Sequence, residues 1–496
     1  MPTESRHERS RAATSACIQP ASGRSPQQAI ILGIILGCQL MIVVDSTVIY
    51  TALPSIRTAL DFSLSDLSWV QNAYTLTFGG LLLLGARTGD ILGRRHVFIV
   101  AMALFTVASI LGGMAGSAAW LIVARAAQGI AAAFAAPSAL ALLMTSFPES
   151  RERAHALKLY VAVSGAGSAL GLVVGGALAE LLSWRWLLYL NVPIGVALLV
   201  LALFYLFDTE RCRGRFDLSG AMTATVGMSA LVYGLVQASS YGWSAASAYA
   251  SLLVGTASLI LFVIIETRVE QPLVPLRLFA SSERSSAYIC RMLLVAGMLG
   301  TFFFLAQYVQ DVMGYSALEA GIAFLPLATT QFAMVTLIGP RLAPLIGNAR
   351  LLAGGFAVAL LGMALLSRIG TGASFFPELA MALVILGIGA GATLVPLTAG
   401  GIADVASHDA GAASGLVNAA HQIGGSLGTA ILVAIAGMAS WRAESHAPSI
   451  DLTIDTRRAL AEALSISATV SMVFFTLAFG VVLFTARHQS RYQARG

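Results

Sequence analysis

Gly85-Ala86-Arg87-Thr88-Gly89-Asp90-Ile91-Leu92-Gly93-Arg94-Arg95 joins two long apolar runs, 69–89 and 97–115. It concentrates three arginines and one aspartate, and Gly85 and Gly93 stand eight residues apart. The same interval returns far down the chain, where Gly339-Pro340-Arg341 is followed by Gly347. A second echo pairs Gly171 and Gly175 with Gly424 and Gly428. Both echoes skip the same number of apolar runs. The chain therefore reads as two related six-helix halves with two further helices inserted in sequence between them, and repeated halves mark transporter folds.

The runs on either side support this. Of 496 residues, 57% are hydrophobic and only 11% charged, whereas soluble domains carry about 25% charged residues. Mean hydropathy is +0.82. Spans of about 20 apolar residues, the length that crosses a bilayer, fall at 29–52, 69–89, 97–115, 119–143, 157–180, 186–206, 218–238, 246–267, 286–310, 320–340, 350–369, 376–399, 411–436 and 466–486. Long continuous runs disfavour a β-barrel, whose strands are short and alternate in polarity. The expectation is an all-α integral membrane protein of fourteen spans arranged 6+2+6.

Most arginines fall in every second connection, among them Arg6, Arg9, Arg11, Arg24, Arg87, Arg94, Arg95, Arg151, Arg153, Arg211, Arg213 and Arg215. The positive-inside rule then puts both termini in the cytoplasm. The predicted organisation is a cytoplasmic tail at 1–28, a first bundle at 29–206, the inserted pair with its loops at 207–285, a second bundle at 286–486 and a tail at 487–496. The start of the chain has no signal-peptide cleavage pattern, so the first run is expected to remain as a membrane anchor. The net charge of +5 is spread between the runs rather than gathered in a patch, which argues against nucleic acid as a partner. Lys158 is the sole lysine, a skew expected of a GC-rich bacterial coding sequence. Cys17, Cys38, Cys212 and Cys290 form no CxxC pair, so neither a disulfide nor a metal site is implied.

These segments resemble the major facilitator superfamily, in its fourteen-helix drug:proton antiporter branch. Gly85 to Arg95 is similar to the superfamily's loop between helices two and three. Trp184-Arg185-Trp186 followed by Asn191-Val192-Pro193-Ile194-Gly195 is similar to the branch's sixth helix. Asp45-Ser46-Thr47 through Ala52-Leu53-Pro54 resembles its first-helix motif, Arg125 with Gln128-Gly129 its fourth, and Gly411 to Gly428 its thirteenth. Tyr50, Ile91, Leu172 and His421 depart from the usual pattern. The resemblance implies a multidrug efflux transporter of the bacterial inner membrane, exchanging protons for small amphipathic compounds by alternating access.

Candidate residues follow from charge in apolar surroundings. A carboxylate within a span is costly and functional by default, which singles out Asp45 as proton carrier, with Arg125 at similar depth as its modulator. A static pair that orients helices is the competing reading. His421, about midway along its span, is the third proton-coupling candidate, against a packing role. Arg291, near a helix end, is expected to snorkel. Gly85, Asp90, Gly93, Arg94 and Arg95 are read as a conformational latch on the cytoplasmic side. Gly167, Gly171, Gly175 and Gly176 form an antiporter-like motif in helix five, where small residues first of all allow close packing. Gln307, Gln331, Asn418 and Gln422 are candidate polar groups of a central cavity, with hydrogen bonding between helices as the alternative.

No GxxxxGK[ST] phosphate loop is present, so ATP coupling within the chain is not expected. Neither HExxH nor a GxSxG nucleophile elbow is read, and an enzyme is not expected. The external stretch from Gly437 to Ser465 is read as a loop with a short helix around Thr456 to Leu464. The expected partners are an amphipathic substrate, protons and lipid, with no bound cofactor and the proton-motive force as driver. A dedicated exporter of one metabolite and a proton-coupled importer share every feature so far. The sequence names neither the substrate nor an outer-membrane partner.

Overall fold

The computed structural model describes residues 26–147, 149–207, 217–243, 245–269, 272–405, 409–444 and 452–493. Residues 1–25 and 494–496 of the expected tails lie outside the described residues, as do Cys17, Cys212, Arg211, Arg213 and Arg215.

Long helices follow one another: α1 (Pro26–Leu60), α2 (Trp69–Leu92), α3 (Arg94–Gly113), α4 (Ala118–Ser146), α5 (Ser150–Leu181), α6 (Arg185–Tyr205) and α7 (Leu218–Tyr241). They continue with α8 (Ala246–Arg268), α9 (Ser282–Gln307), α10 (Ala317–Ile346), α11 (Asn348–Leu366), α12 (Ala380–Gly401), α13 (Ala410–Glu444) and α14 (Leu452–Gln493). Thirteen are long and apolar enough to cross a membrane; α2 is the exception. Its 24 residues suffice in length, and it fails on composition because it carries Gln71, Asn72, Thr75, Arg87 and Asp90. Most of those polar groups are buried against protein, and the set is compatible with fourteen crossings.

Local chemistry sets several helix starts. Ser117 accepts from Trp120 N–H ahead of α4, and Ser316 and Glu319 form a reciprocal capping box at α10. Gly93 (φ 99°) and Gly347 (φ 85°) turn the chain between α2 and α3 and between α10 and α11. A positive φ is accessible to glycine without steric cost, so the echo read in the sequence is the same turn made twice. Two expected boundaries move. Helix α1 does not stop at 52 but runs to Leu60 through Pro54, since a proline forfeits one backbone bond and need not end a helix. The stretch from Thr456 to Leu464 is no separate helix; it opens α14.

The halves repeat in their packing. Helix α5 lies on α1, where a Cβ at Gly171 would stand 2.0 Å from Thr47 Oγ1 and one at Gly175 2.8 Å from Val48 Cα. Helix α13 lies on α9 in the same way, with Gly424 against the Met292 carbonyl (2.4 Å) and Gly428 against Ala296 Cα (2.2 Å). Likewise Gly129 of α4 meets the Tyr74 carbonyl of α2, and Gly387 of α12 meets the Leu327 carbonyl of α10. Across the halves, α2 packs along α13 and α5 along α10. The inserted α7–α8 pair does not separate the halves. It packs through α7 against the flank where α2 and α13 already touch.

At the base of that pair, Asp217 caps α7 by accepting from Gly220 N–H at 2.8 Å, and Glu266 of α8 accepts from Val274 N–H at 3.1 Å. Their remaining oxygens, Asp217 Oδ2 and Glu266 Oε1, are buried beside Gly220 with no donor among the described residues. Glu266→Gln supplies an N–H to that corner and is expected to hold or raise the melting temperature. Glu266→Ala strands the Val274 N–H and is expected to cost about 1–3 kcal/mol. A glutamine variant that melts as low as the alanine one sinks this account.

Candidate functional site

Asp45 and Arg125 are fully buried and paired, with Arg125 Nη1 2.7 Å from Asp45 Oδ2. Arg125 lies two turns into α4, about 10 Å along it, and brings Asp45 to the same level. The greater length of α1 corrects the expected distance of Asp45 from the end of its own helix but not its depth relative to α4. The other carboxylate oxygen, Oδ1, accepts from Asn191 Nδ2 at 2.6 Å and from Gln128 Nε2 at 3.2 Å. Gln128 also donates to Ser109 at 2.8 Å and accepts from Arg125 Nη1 at 2.9 Å. Arg125 Nε donates to the Val70 carbonyl, and its guanidinium lies 4.6 Å from the Tyr74 ring centroid. Three N–H donors from α4 and α6 thus converge on one carboxylate of α1, a geometry suited to charge-assisted bonding.

Asn191 reaches this network because of how α6 begins. Arg185 donates to the Ala115 carbonyl at the α3–α4 turn and stacks over Trp184 at 4.4 Å. Gly195 then lets α6 close on α3, a Cβ there standing 2.2 Å from Thr106 Oγ1. Asn191 and Gln128 belong to segments singled out in the sequence, yet their role as carboxylate ligands, and that of Ser109 behind them, emerges only from the packing.

His421 does not join the network. It sits on α13, one turn before the Gly424 contact with Met292 of α9, and its Nδ1 is buried with no partner among the described residues. Arg291 does not snorkel along its helix but crosses to α12, reaching the Leu394 carbonyl (3.5 Å) and Thr398 Oγ1 (3.4 Å).

In the loop between α2 and α3, Asp90 Oδ1 accepts from Arg94 Nη2 at 3.0 Å, and Arg94 reaches the Ala141 carbonyl of α4. Arg95 donates to the Leu203 carbonyl of α6 at 2.8 Å. Gly85 lies where a Cβ would meet the Ala133 carbonyl at 2.1 Å, so it holds α2 against α4. Of the helix-five glycines, Gly167, Gly171 and Gly175 face α1, whereas Gly176 faces across the halves to the Ala317 carbonyl of α10 (2.3 Å from a Cβ).

Gln307 is fully buried at the C-terminal end of α9, not on an open wall. It accepts from Arg57 of α1, which also pairs with Asp311 at 2.8 Å. Gln310 donates to the Thr51 carbonyl, and Glu180 accepts from Leu318 N–H. These contacts tie the predicted outer ends of the two halves together, and none was legible as a site beforehand. Gln331 packs its backbone on Gly391 of α12. Gln422 faces Gly79 of α2, and Asn418 is exposed. Gly424-Gly425-Ser426-Leu427-Gly428 does spell GxSxG, a correction to the expectation that the pattern is missing. It lies inside α13 with Ser426 bonded to Thr75, so it is no nucleophile elbow. A groove of about 500 Å³ between Trp69 of α2 and the α7–α8 pair holds none of these charges.

Repeated bundles, long apolar helices and a buried carboxylate held by donors from neighbouring spans define a multi-pass membrane transporter rather than an enzyme. The sequence matches the Major Facilitator Superfamily over residues 35–429, and the chain belongs to it. It is 41% identical to the puromycin resistance protein pur8 of Streptomyces alboniger over 440 residues, 87% of each chain. It is 39% identical to the cephamycin export protein CmcT of Amycolatopsis lactamdurans, covering 82% of this chain and 84% of that one. Among solved structures, a bacterial homologue of the human lysosomal transporter Spinster, in an inward-facing and occupied conformation, superposes with a TM-score of 0.63 at 18% identity, covering 94% of this chain and 98% of that one. The protein is a transporter of small molecules across a bacterial membrane whose relatives include drug and antibiotic resistance and export proteins.

Proposed function

We propose that the protein exports small amphipathic compounds across the inner membrane in exchange for protons, by rocking of its two halves. The carrying observation is Asp45, fully buried in a span and met by Arg125, Gln128 and Asn191. In this state the carboxylate is charge-compensated from within the protein. Protonation would remove the demand for those donors and free α4 and α6 to shift against α1. A proton entering from outside would then change how the first bundle packs, which is the link an antiporter requires. In the same proposal the Arg57–Asp311 tie and the Gly176 contact close the outer face, and Asp90 with Arg94, already paired in this state, belongs to a cytoplasmic latch whose further contacts form when the protein faces out.

The direct test is substrate accumulation in inverted vesicles, which turn export into uptake. A panel of labelled amphiphiles should accumulate only under an inward-acid gradient. Accumulation without a gradient, or none at all, overturns the reading. Several relatives are named for a single compound, such as puromycin or cephamycin. That favours a narrow range as the second reading, which uptake of a single member of the panel would support.

Gly176 tests the outer closure. A valine there drives methyl groups into the Ala317 carbonyl, and overpacking costs about 1–3 kcal/mol. In a cysteine-free background carrying Thr51→Cys, Gly176→Val should raise labelling by an impermeant maleimide, applied from outside, by roughly fivefold or more. Unchanged labelling means that Gly176 does not control closure.

A further inference from the structure

The second half contains a cation that its surroundings leave uncompensated. Arg57, Arg94, Arg125 and Arg277 each pair with an aspartate. Arg291, nine residues into α9, has no carboxylate within ion-pair distance among the described residues. Its bonds to the Leu394 carbonyl and Thr398 Oγ1 are long, at 3.5 and 3.4 Å, and its Nε is buried with no partner among the described residues. A guanidinium within a span carries a high desolvation cost, and such residues mark substrate or ion pathways. With no carboxylate beside it, it gains most from a ligand that brings the missing charge.

The neighbours agree. Gly424 sets α13 against the Met292 backbone, immediately after Arg291, and places His421 one turn earlier on the facing helix. His421 Nδ1 is buried with no partner among the described residues. No acid appears in this group. Thr398 donates its own hydroxyl proton to the Leu394 carbonyl, so its oxygen is turned to accept from Arg291 and steers the guanidinium. Arg291 is half-buried, while Thr398 and Asn418, the latter one turn before His421, are exposed, so the group is open to a ligand on one side.

We propose that Arg291, with His421 beside it and Thr398 positioning it, is a subsite for the carboxylate of an amphipathic acid, which gives the amphipathic substrate an anionic end. This rests on the export reading in that the ligand is taken to be a transported one. The site is separate from the Asp45 network, so the protein handles the proton in one half and the anionic end of the substrate in the other.

The test is equilibrium binding to the purified full chain in a neutral detergent, using a dansyl-labelled aromatic carboxylic acid and its methyl ester. Wild type should bind the acid about tenfold more tightly than the ester, the scale of one charge-assisted contact. Arg291→Gln should bring the acid to the level of the ester and leave the ester unchanged, and Arg291→Lys should keep part of the preference. Equal binding of acid and ester by wild type overturns the subsite, as does absence of binding by both. Parallel loss of both ligands in Arg291→Gln, with Arg291→Lys no better, assigns the residue to packing and overturns it too. The binding needs no gradient. Vesicles that accumulate neutral amphiphiles while the acid shows no preference leave export standing without the subsite. A preference for the acid in a protein that accumulates nothing in vesicles leaves the subsite without export.

Discussion

Asp45→Asn is expected to abolish uphill transport. A difference of one pH unit is worth about 1.4 kcal/mol, so with one proton per substrate wild-type vesicles should reach roughly tenfold accumulation. The variant should stay near a ratio of one, because asparagine keeps the size of the side chain but carries no proton through the cycle. Loss of folding must be separated from loss of coupling. With a neutral amide in place of the carboxylate, Arg125 is a buried cation without a counter-ion, a condition that costs about 3–5 kcal/mol. The control is Asp45→Asn with Arg125→Gln, which removes both charges and leaves amides to bond with Gln128 and Asn191. That double variant should melt closer to wild type and still fail to accumulate substrate. Normal accumulation by Asp45→Asn would leave Asp45 as a structural partner of Arg125 and move the proton elsewhere.

The Asp45–Arg125 pair was legible because charge is rare within apolar runs, and two opposite charges at matching depth have few other places to go. Asn191, Gln128 and Ser109 were not assigned, since single amides and hydroxyls are common in membrane helices and their partners depend on packing. The repeat was legible as glycine spacing, and the packing shows why. Gly171, Gly175, Gly424 and Gly428 stand where backbones meet, and Gly93 and Gly347 where φ is positive. Gly339 breaks the symmetry, lying against the Met334 carbonyl of its own helix rather than a neighbour. The Arg57–Asp311 tie was invisible because each charge sits near a helix end, where charge is ordinary. Only the approach of α1 to α9, far apart in sequence, makes them partners. The resting place of α7 and α8 was equally hidden, since chain order alone cannot distinguish a pair wedged between the halves from one laid on their flank.

Arg125→Leu is expected to be the most destabilising single change in the transporter. It leaves the Asp45 carboxylate buried with two amide donors and no cation, strips the Val70 carbonyl of its donor and removes the charge above Tyr74. Breaking one side of a buried pair costs about 3–5 kcal/mol, comparable to much of the stability of a typical folded domain. Arg125→Lys restores the charge without the planar fork and should recover only part of the loss. The informative variant is the double one, Arg125→Leu with Asp45→Leu. Replacing a buried ion pair by apolar side chains removes the uncompensated charge, so the double variant should melt clearly above Arg125→Leu, yet below wild type because Asn191, Gln128 and the Val70 carbonyl lose partners. Losses that simply add would mean that the two residues do not share their energy, and the network would not be the unit it is taken to be. A double variant that folds well and transports nothing would instead separate the two roles. The pair would then be dispensable for the fold, and its presence in the first bundle would be explained by the proton it exchanges rather than by the helices it holds.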